Sequence, residues 1–365
     1  MSPLRVVSGN LFLLHAFDVG YDIDLAAAQR LCEAVRAPGF SGIRAGPGHL
    51  QYSPRPLVVP FGDLPVPAGG SERRIEGSVK IFDFGVLSVT SCLPLADRPW
   101  EEFAETALSL AGDPAVAREA EAQARLLFEA IRPAVTRPGF VDLVEDYGIW
   151  HVGEFSPPLT GTEALARLPR ELARLLTLDP GPFSEAAVSE VLRNPIRYWE
   201  NDLVLADWNA AFLYDPRFRD TVEVLEFLNV QMLELRFFDR LLHEGIDAMG
   251  EELRKRRGLF ALLFDPYEKP RRRLSEVKMD VALLRERIHN ALKLAGDAYL
   301  ARVYDEARRR AGTERWEDTV RDQLKTLEDI YTILTHRAEA ARAAALETVI
   351  ILLIALEIVM GLLRW

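Results

Sequence analysis

Proline divides this chain more sharply than any other residue. Residues 1–216 hold 20 of its 22 prolines, and none follows Pro270. Proline breaks helix interiors and suits turns and loops. The first part should therefore consist of short elements, and the last part of long helices. The expected fold class is α+β: an N-terminal mixed α/β domain (1–215), then a long antiparallel, coiled-coil-like helical stalk (216–342), then a C-terminal hydrophobic helix (343–363) expected to be transmembrane.

Within the first part, Leu11 to Phe17 reads as a strand and Asp24 to Val35 as a helix. Arg55 to Phe61 reads as a short strand. VKIFDFGVLSVTS (79–91) is the clearest strand region, being rich in β-branched and aromatic residues. Helices follow near 99–111 and 114–132, the second opened by Asp113 as N-cap and Pro114 in the first turn. Residues 141–152 return to strand, 162–178 and 184–193 to helix, and 201–214 to strand. The order lacks a strict βαβ rhythm, which favours α+β over α/β.

Asp215-Pro216 opens the second part. Three long helices are expected, at about 217–257, 274–310 and from 313 onward. Their apolar residues alternate at spacings of 3 and 4, as at Leu225, Leu228, Met232 and Leu235, or Val320, Leu324, Leu327 and Tyr331. That is the period of coiled-coil packing. Gly312 supplies the turn between the last two.

The tail, residues 343–363, is about as long as a membrane span needs to be. Twelve strongly apolar residues lie between 348 and 363, and together they favour insertion by roughly 4–7 kcal/mol. Glu357 opposes them by about 2.5–3.5 kcal/mol, and Glu347 lies nearer the edge. One span is expected, at the cytoplasmic membrane. Arg337 and Arg342 precede it, so the positive-inside tendency leaves the N-terminal bulk in the cytoplasm. The competing reading is a helix buried in a soluble bundle.

The whole chain carries a formal net charge of −11, which argues against broad nucleic-acid binding. Residues 254–273 nevertheless hold eight basic and two acidic residues. With the second helix roughly 55 Å long and the third roughly 45 Å before the apolar run, this basic loop is expected near the height of the bilayer. Arg254, Lys255, Arg256, Arg257, Arg271, Arg272 and Arg273 would meet anionic lipid, with Phe260 and Phe264 dipping into the interface.

Several segments carry a family resemblance. IFDFGV (81–86), EDYGIWHV (145–152), DWNAAFLYD (207–215), EFLNVQMLELRFFD (226–239) and LETVIILLIALEIVMGLL (346–363) occur in that order. Together they resemble the "required for meiotic nuclear division" family, also catalogued as domain of unknown function 155, over about residue 78 to the end. The resemblance implies an N-terminal α/β region, long helices and a hydrophobic C-terminus. The chain is similar to the prokaryotic branch, for which the resemblance implies no established activity.

Catalytic and metal motifs are sparse. His15, His49, His151, His243, His289 and His336 show no HExxH spacing, and Gly39, Gly42, Gly46 and Gly48 form neither GxGxxG nor GxxxxGK[ST]. Cys32 and Cys92 are too few for a disulfide scaffold or zinc finger, and fit a reducing compartment. No cofactor, metal or catalytic residue is expected. A weak polar cluster remains at Glu145, Asp146 and His151; strand alternation puts Glu145 and His151 on one face and Asp146 on the other. Asn229, Arg236 and Asp239 share a helical stripe, and with Glu347 and Glu357 they are candidates for fixing helix register or interfaces.

The function expected from these features is a tail-anchored membrane scaffold or interaction protein, oligomeric and not an enzyme, with anionic lipid, a second copy and unidentified proteins as partners. A CorA-like transport component, and a ligand- or nucleotide-binding protein built on residues 1–215, are the alternatives.

Overall fold

The computed structural model describes residues 3–34, 44–45, 51–68, 71–254, 268–293 and 297–363. The fold is α+β, an N-terminal sheet domain followed by helices. In chain order the strands are β1 (Arg5–Asp18), β2 (Asp22–Ile23), β3 (Arg44–Ala45), β4 (Gln51–Tyr52), β5 (Leu57–Ala68), β6 (Ser71–Ile81), β7 (Val86–Pro99), β8 (Val135–Thr136), β9 (Val144–Ser156), β10 (Leu203–Ala206), β11 (Ala210–Tyr214) and β12 (Leu292–Lys293). The helices are α1 (Leu25–Ala34), α2 (Trp100–Ala111), α3 (Pro114–Ile131), α4 (Gly161–Arg167), α5 (Pro169–Thr177), α6 (Glu185–Val191), α7 (Arg219–Arg254), α8 (Glu268–Ala291), α9 (Ala298–Arg310) and α10 (Thr313–Leu363).

Eight strands form one sheet in the order β10-β11-β9-β1-β7-β6-β5-β3. Its pairings are antiparallel except that of β11 with β9. The expected strand at 79–91 is two strands. Gly85, at φ 95°, turns the chain back between β6 and β7, and a Cβ there would run into the Gly20 carbonyl. Strand content was legible from the β-branched residues; the reversal depends on that one left-handed position.

Local signals explain most helix starts. The Asp113 carboxylate accepts from Ala115 N–H at 2.8 Å, with Pro114 in the first turn of α3. Thr160 and Glu163 form a reciprocal capping box at α4.

Two compact units divide the chain: residues 1–234 with 287–314, and residues 235–286 with 315–365. The N-terminal half of α7 and all of α9 therefore belong with the sheet. The second unit is helical, and its buried positions recur at sevens: Leu242 and Met249, Leu274 and Val281, then Val320, Leu327 and Leu334.

One expected stalk helix differs. The continuous second helix at 274–310 is interrupted: β12 pairs antiparallel with β4, and α9 starts afresh at Asp297, whose carboxylate accepts from Tyr299 and Leu300 N–H. Apolar spacing continues across the break, but an N-cap aspartate favours a new start. The unbroken rod that set the expected height of the basic loop is thus absent.

Candidate functional site

The two faces of the sheet are built differently. On one, Leu11, Leu13, Trp150, Val152 and Phe155 pack against Trp100 and Phe103 of α2 and Leu172, Leu175 and Leu176 of α5. Phe17, Val79, Ile81, Leu87 and Val89 continue this apolar face under α3. The Trp150 indole N–H donates to the Leu175 carbonyl at 2.7 Å.

The opposite face receives α7. Phe12, Leu14, Tyr147 and Ile149 supply an apolar patch beneath Val222, Leu225 and Leu228. A polar row runs beside it. Lys80 of β6 is paired in register with Ser88 of β7, Ser88 with Ala16 of β1, and Ala16 with Glu145 of β9. Strand alternation sets all four on the α7 side.

Lys80 is buried and its ammonium donates to Glu223 and, at 2.5 Å, to Glu226, both on α7. Burial alone pulls the ammonium's pKa down, but Glu226 and Glu223 outweigh it and raise it. Burial raises the Glu223 carboxyl despite Lys80. One ammonium therefore faces two carboxyls, in a setting where each uncompensated charge is expensive. Tyr52 lies at this cluster, its ring set edge-on to Phe82 and Phe227, and burial raises its phenol.

Further along α7, Glu234 is wholly buried. Neither of its carboxyl oxygens has a hydrogen-bond partner among the described residues. Burial, then the nearby Asp18, raises its pKa well above the ordinary range. Asp18 itself accepts from Gly20 N–H at 3.3 Å, and burial raises it to about 7. Glu226 Oε1, Ser88 Oγ and Tyr52 Oη also lack partners among the described residues. A buried polar group so placed costs about 1–3 kcal/mol, so this interface keeps its polarity at a net cost to stability. Among the described residues, no group of three or more His, Cys, Asp or Glu is arranged to hold a metal ion.

The candidates from the sequence fall in separate places. Glu145 and His151 share the α7 face but lie six positions apart on one strand, while Asp146 faces the other way, into a cleft of about 180 Å³ that His15, Leu110 and Leu178 also line. His151 sits in a closed network. Its Nε2–H donates to the Asp215 carbonyl at 2.9 Å, so its Nδ1 accepts from Asn10 Nδ2 at 3.0 Å. Phe218 stacks on the ring at 3.8 Å, and burial lowers the imidazole to about 4. The ring is therefore neutral and occupied on both nitrogens, an arrangement suited to holding β1, β9 and the α7 entry together.

Asn229 makes a contact with the sheet. Its amide donates to the Glu145 backbone carbonyl at 3.1 Å and so ties α7 to β9 rather than to another helix. Asp239 does bridge two helices, accepting from Gln323 of α10 at 2.7 Å; Arg236 is half-buried on the same stripe. Glu347 and Glu357 are exposed on α10. Of the basic-loop candidates, Arg254 closes α7, and Arg271, Arg272 and Arg273 lie in α8, where Arg272 pairs with Glu276 at 3.1 Å. Lys255, Arg256, Arg257, Phe260 and Phe264 lie outside the described residues, as do Gly39, Gly42, Gly46, Gly48 and His49.

Sequence reasoning passed over Lys80, Glu223 and Asp18, and placed Glu226 and Glu234 only as lying further round the helix from the Asn229 stripe. One signal was available: Lys80 is one of only six lysines and stands inside an apolar strand. Its partners, 143 and 146 positions away, carried none.

The end of α10 has a different character. It contains an 18-residue window of mean hydropathy 2.4, none of it buried. Leu346, Ile351, Leu352, Leu353 and Leu362 are each 59–73% exposed. This helix is long and apolar enough to cross a membrane.

A family model described as "Uncharacterized protein MJ0711, N-terminal domain" matches residues 8–221. The uncharacterized protein MJ0711 of Methanocaldococcus jannaschii is 26% identical over 228 residues, which cover 60% of this chain and 66% of that protein. The matched region thus spans just under two thirds of the relative's length. No solved structure matches the chain. The family match takes in the sheet, with Asp18 and Lys80, and stops before Glu223 on α7.

Proposed function

Starting from a chain that belongs to the family of the uncharacterized protein MJ0711 N-terminal domain, we propose that it is a tail-anchored membrane scaffold or interaction protein. In this reading the last part of α10 is a single span at the cytoplasmic membrane. The sheet domain stays in the cytoplasm, presented to protein partners, and the chain self-associates. The observation that carries it is the exposed apolar end of α10, while the other large apolar side chains among the described residues are mostly packed away. An exposed apolar surface of that extent marks a membrane or an interface. Arg337 and Arg342 before the span support the orientation. Kinship with the meiotic-nuclear-division family belongs to the same proposal and rests on the ordered segments between residues 81 and 363.

Alkaline carbonate extraction of membranes expressing the full chain tests this. The full chain is expected in the membrane pellet, and a chain lacking residues 343–365 in the supernatant. Extraction of the full chain by carbonate overturns the span. The reading of the sheet domain as a ligand-binding module draws on the partnerless polar groups under α7. A thermal-shift screen with nucleotides and divalent cations separates it from the scaffold: a shift abolished by Lys80→Met favours ligand binding.

A further inference from the structure

The cleft of about 180 Å³ opens where the junction of α2 and α3 crosses β1 and β9. Its walls are apolar: Leu13 of β1, Leu110 of α2, Val116 of α3 and Leu178, which caps the end of α5. Two side chains set its polarity. His15 and Asp146 stand opposite each other in the β1–β9 register, on the side of the sheet away from α7, and both line the cleft. His15 is 7% exposed. Its imidazole makes no hydrogen bond among the described residues, and Nδ1 is closed off from water as well. Asp146 is exposed and forms no hydrogen bond or ion pair among the described residues; it acts on the His15 ring only through its charge.

Size and charge together select the occupant. An apolar cavity of about 150 Å³ takes up a benzene ring, so one small ring or short alkyl chain fits between these walls. Burial lowers the His15 imidazole, with Asp146 opposing. The ring is therefore neutral and presents one acceptor nitrogen. Asp113 adds a second carboxylate to the lining, and no lysine or arginine lines the cleft among the described residues. The start of α3 does not invite an anion, because Asp113 already accepts from Ala115 N–H there and would repel one. A metal ion lacks ligands, since no three His, Cys, Asp or Glu among the described residues are grouped to hold it. A cation with an apolar body answers every wall. An ammonium group has three N–H donors, enough for a carboxylate and an imidazole nitrogen at once.

We propose that this cleft binds a small organic amine, its ammonium held between the Asp146 carboxylate and the His15 imidazole and its apolar part lodged among Leu13, Leu110, Val116 and Leu178. The amine gives the imidazole the hydrogen-bond partner that the fold withholds. Every lining residue falls within residues 8–221, the span of the family match. The site therefore belongs to the sheet domain and does not depend on the α10 span.

The test adds benzylamine to the full chain in mild detergent near neutral pH, with benzyl alcohol and benzoate as its uncharged and anionic counterparts. Binding is read by calorimetry and by the imidazole NMR signals of His15, assigned by their loss in His15→Phe. The expected result is saturable benzylamine binding that moves these signals, with little or none from the other two compounds. Asp146→Asn keeps the size of the side chain and removes its charge. It should weaken benzylamine about tenfold, the share of one charge-assisted hydrogen bond, and leave the thermal midpoint nearly unchanged. Ala117→Trp, at an exposed position of α3 that lines the cleft, should abolish binding. Equal binding of benzylamine and benzyl alcohol, or an Asp146→Asn protein that binds as wild type does, overturns the cationic ligand. Benzylamine that binds without moving the His15 signals, or no saturable binding at millimolar concentration, overturns the site. Carbonate extraction reads the span separately, so either reading can fail alone.

Discussion

The two faces of one sheet show how differently the same strands are stabilised. Toward α2, α3 and α5 the strands offer leucine, valine, phenylalanine and tryptophan, and Trp150 finds its single polar partner. Toward α7 the same strands offer Lys80, Ser88, Asp18, Asn10 and His151, answered by Glu223, Glu226, Asn229 and Glu234. The apolar face gains by removing area from water. The polar face gains little net energy. What it adds is specificity: α7 fits where one ammonium meets two carboxyls and one amide meets one carbonyl.

The largest effects should come from breaking each face at its centre. Trp150→Ala empties the apolar face and should cost about 3–5 kcal/mol in urea unfolding. Lys80→Met should cost a similar 3–5 kcal/mol or so, because Glu223 and Glu226 are left facing each other without a cation. The contrast sharpens with a combined variant. Adding Glu223→Gln and Glu226→Gln to Lys80→Met should restore most of the loss, whereas a second substitution beside Trp150 should deepen the cavity. If Lys80→Met alone is neutral, the ionic cluster does not hold α7 in place.

Titration separates two groups on the polar face by sign. Asp18 is raised to about 7 on folding, from about 3.9 unfolded. The folded state therefore holds its proton longer, and this contribution falls as pH rises from about 4 to 7. His151 is lowered to about 4, from about 6.5 unfolded. Its contribution is lost in the other direction, as pH falls from about 6.5 to 4. The slopes oppose each other in wild type. Asp18→Asn should remove the falling limb and raise stability at pH 8 by about 1–3 kcal/mol. A urea-midpoint profile against pH that keeps its wild-type slope in this variant would show that Asp18 is not the proton site. Glu234→Gln should act in the same direction, because the raised carboxyl it removes loses stability as pH rises.

The smallest effect belongs to Asn229. Asn229→Ala removes one bond to the Glu145 carbonyl and should cost about 0.5–1.5 kcal/mol, read as a lower thermal midpoint. Unchanged self-association would separate it from Asp239, whose bond to Gln323 joins two helices.

Much of the architecture was legible in the chain because its causes are local. Proline placement separated short elements from long helices, and Asp113-Pro114 announced the start of α3 through a cap that acts within two residues. Alternation along β9 assigned Glu145 and Asp146 to opposite faces. The break before α9 was less legible, since a sevenfold apolar pattern runs through it while a single aspartate side chain restarts the helix.

The polar site was not legible, for a physical reason. A lysine in a strand states a demand for charge compensation but carries no address. Glu223 and Glu226 answer it from more than 140 positions away because α7 lies across that face, and the same packing sets the Glu234 carboxyl near Asp18 with no hydrogen-bond partner among the described residues. By itself, the sequence determined element types, a helix able to cross a membrane, and an acidic chain with one basic stretch. Tertiary structure alone decided which charges were buried together, because burial and long-range pairing exist only once the sheet and α7 have met.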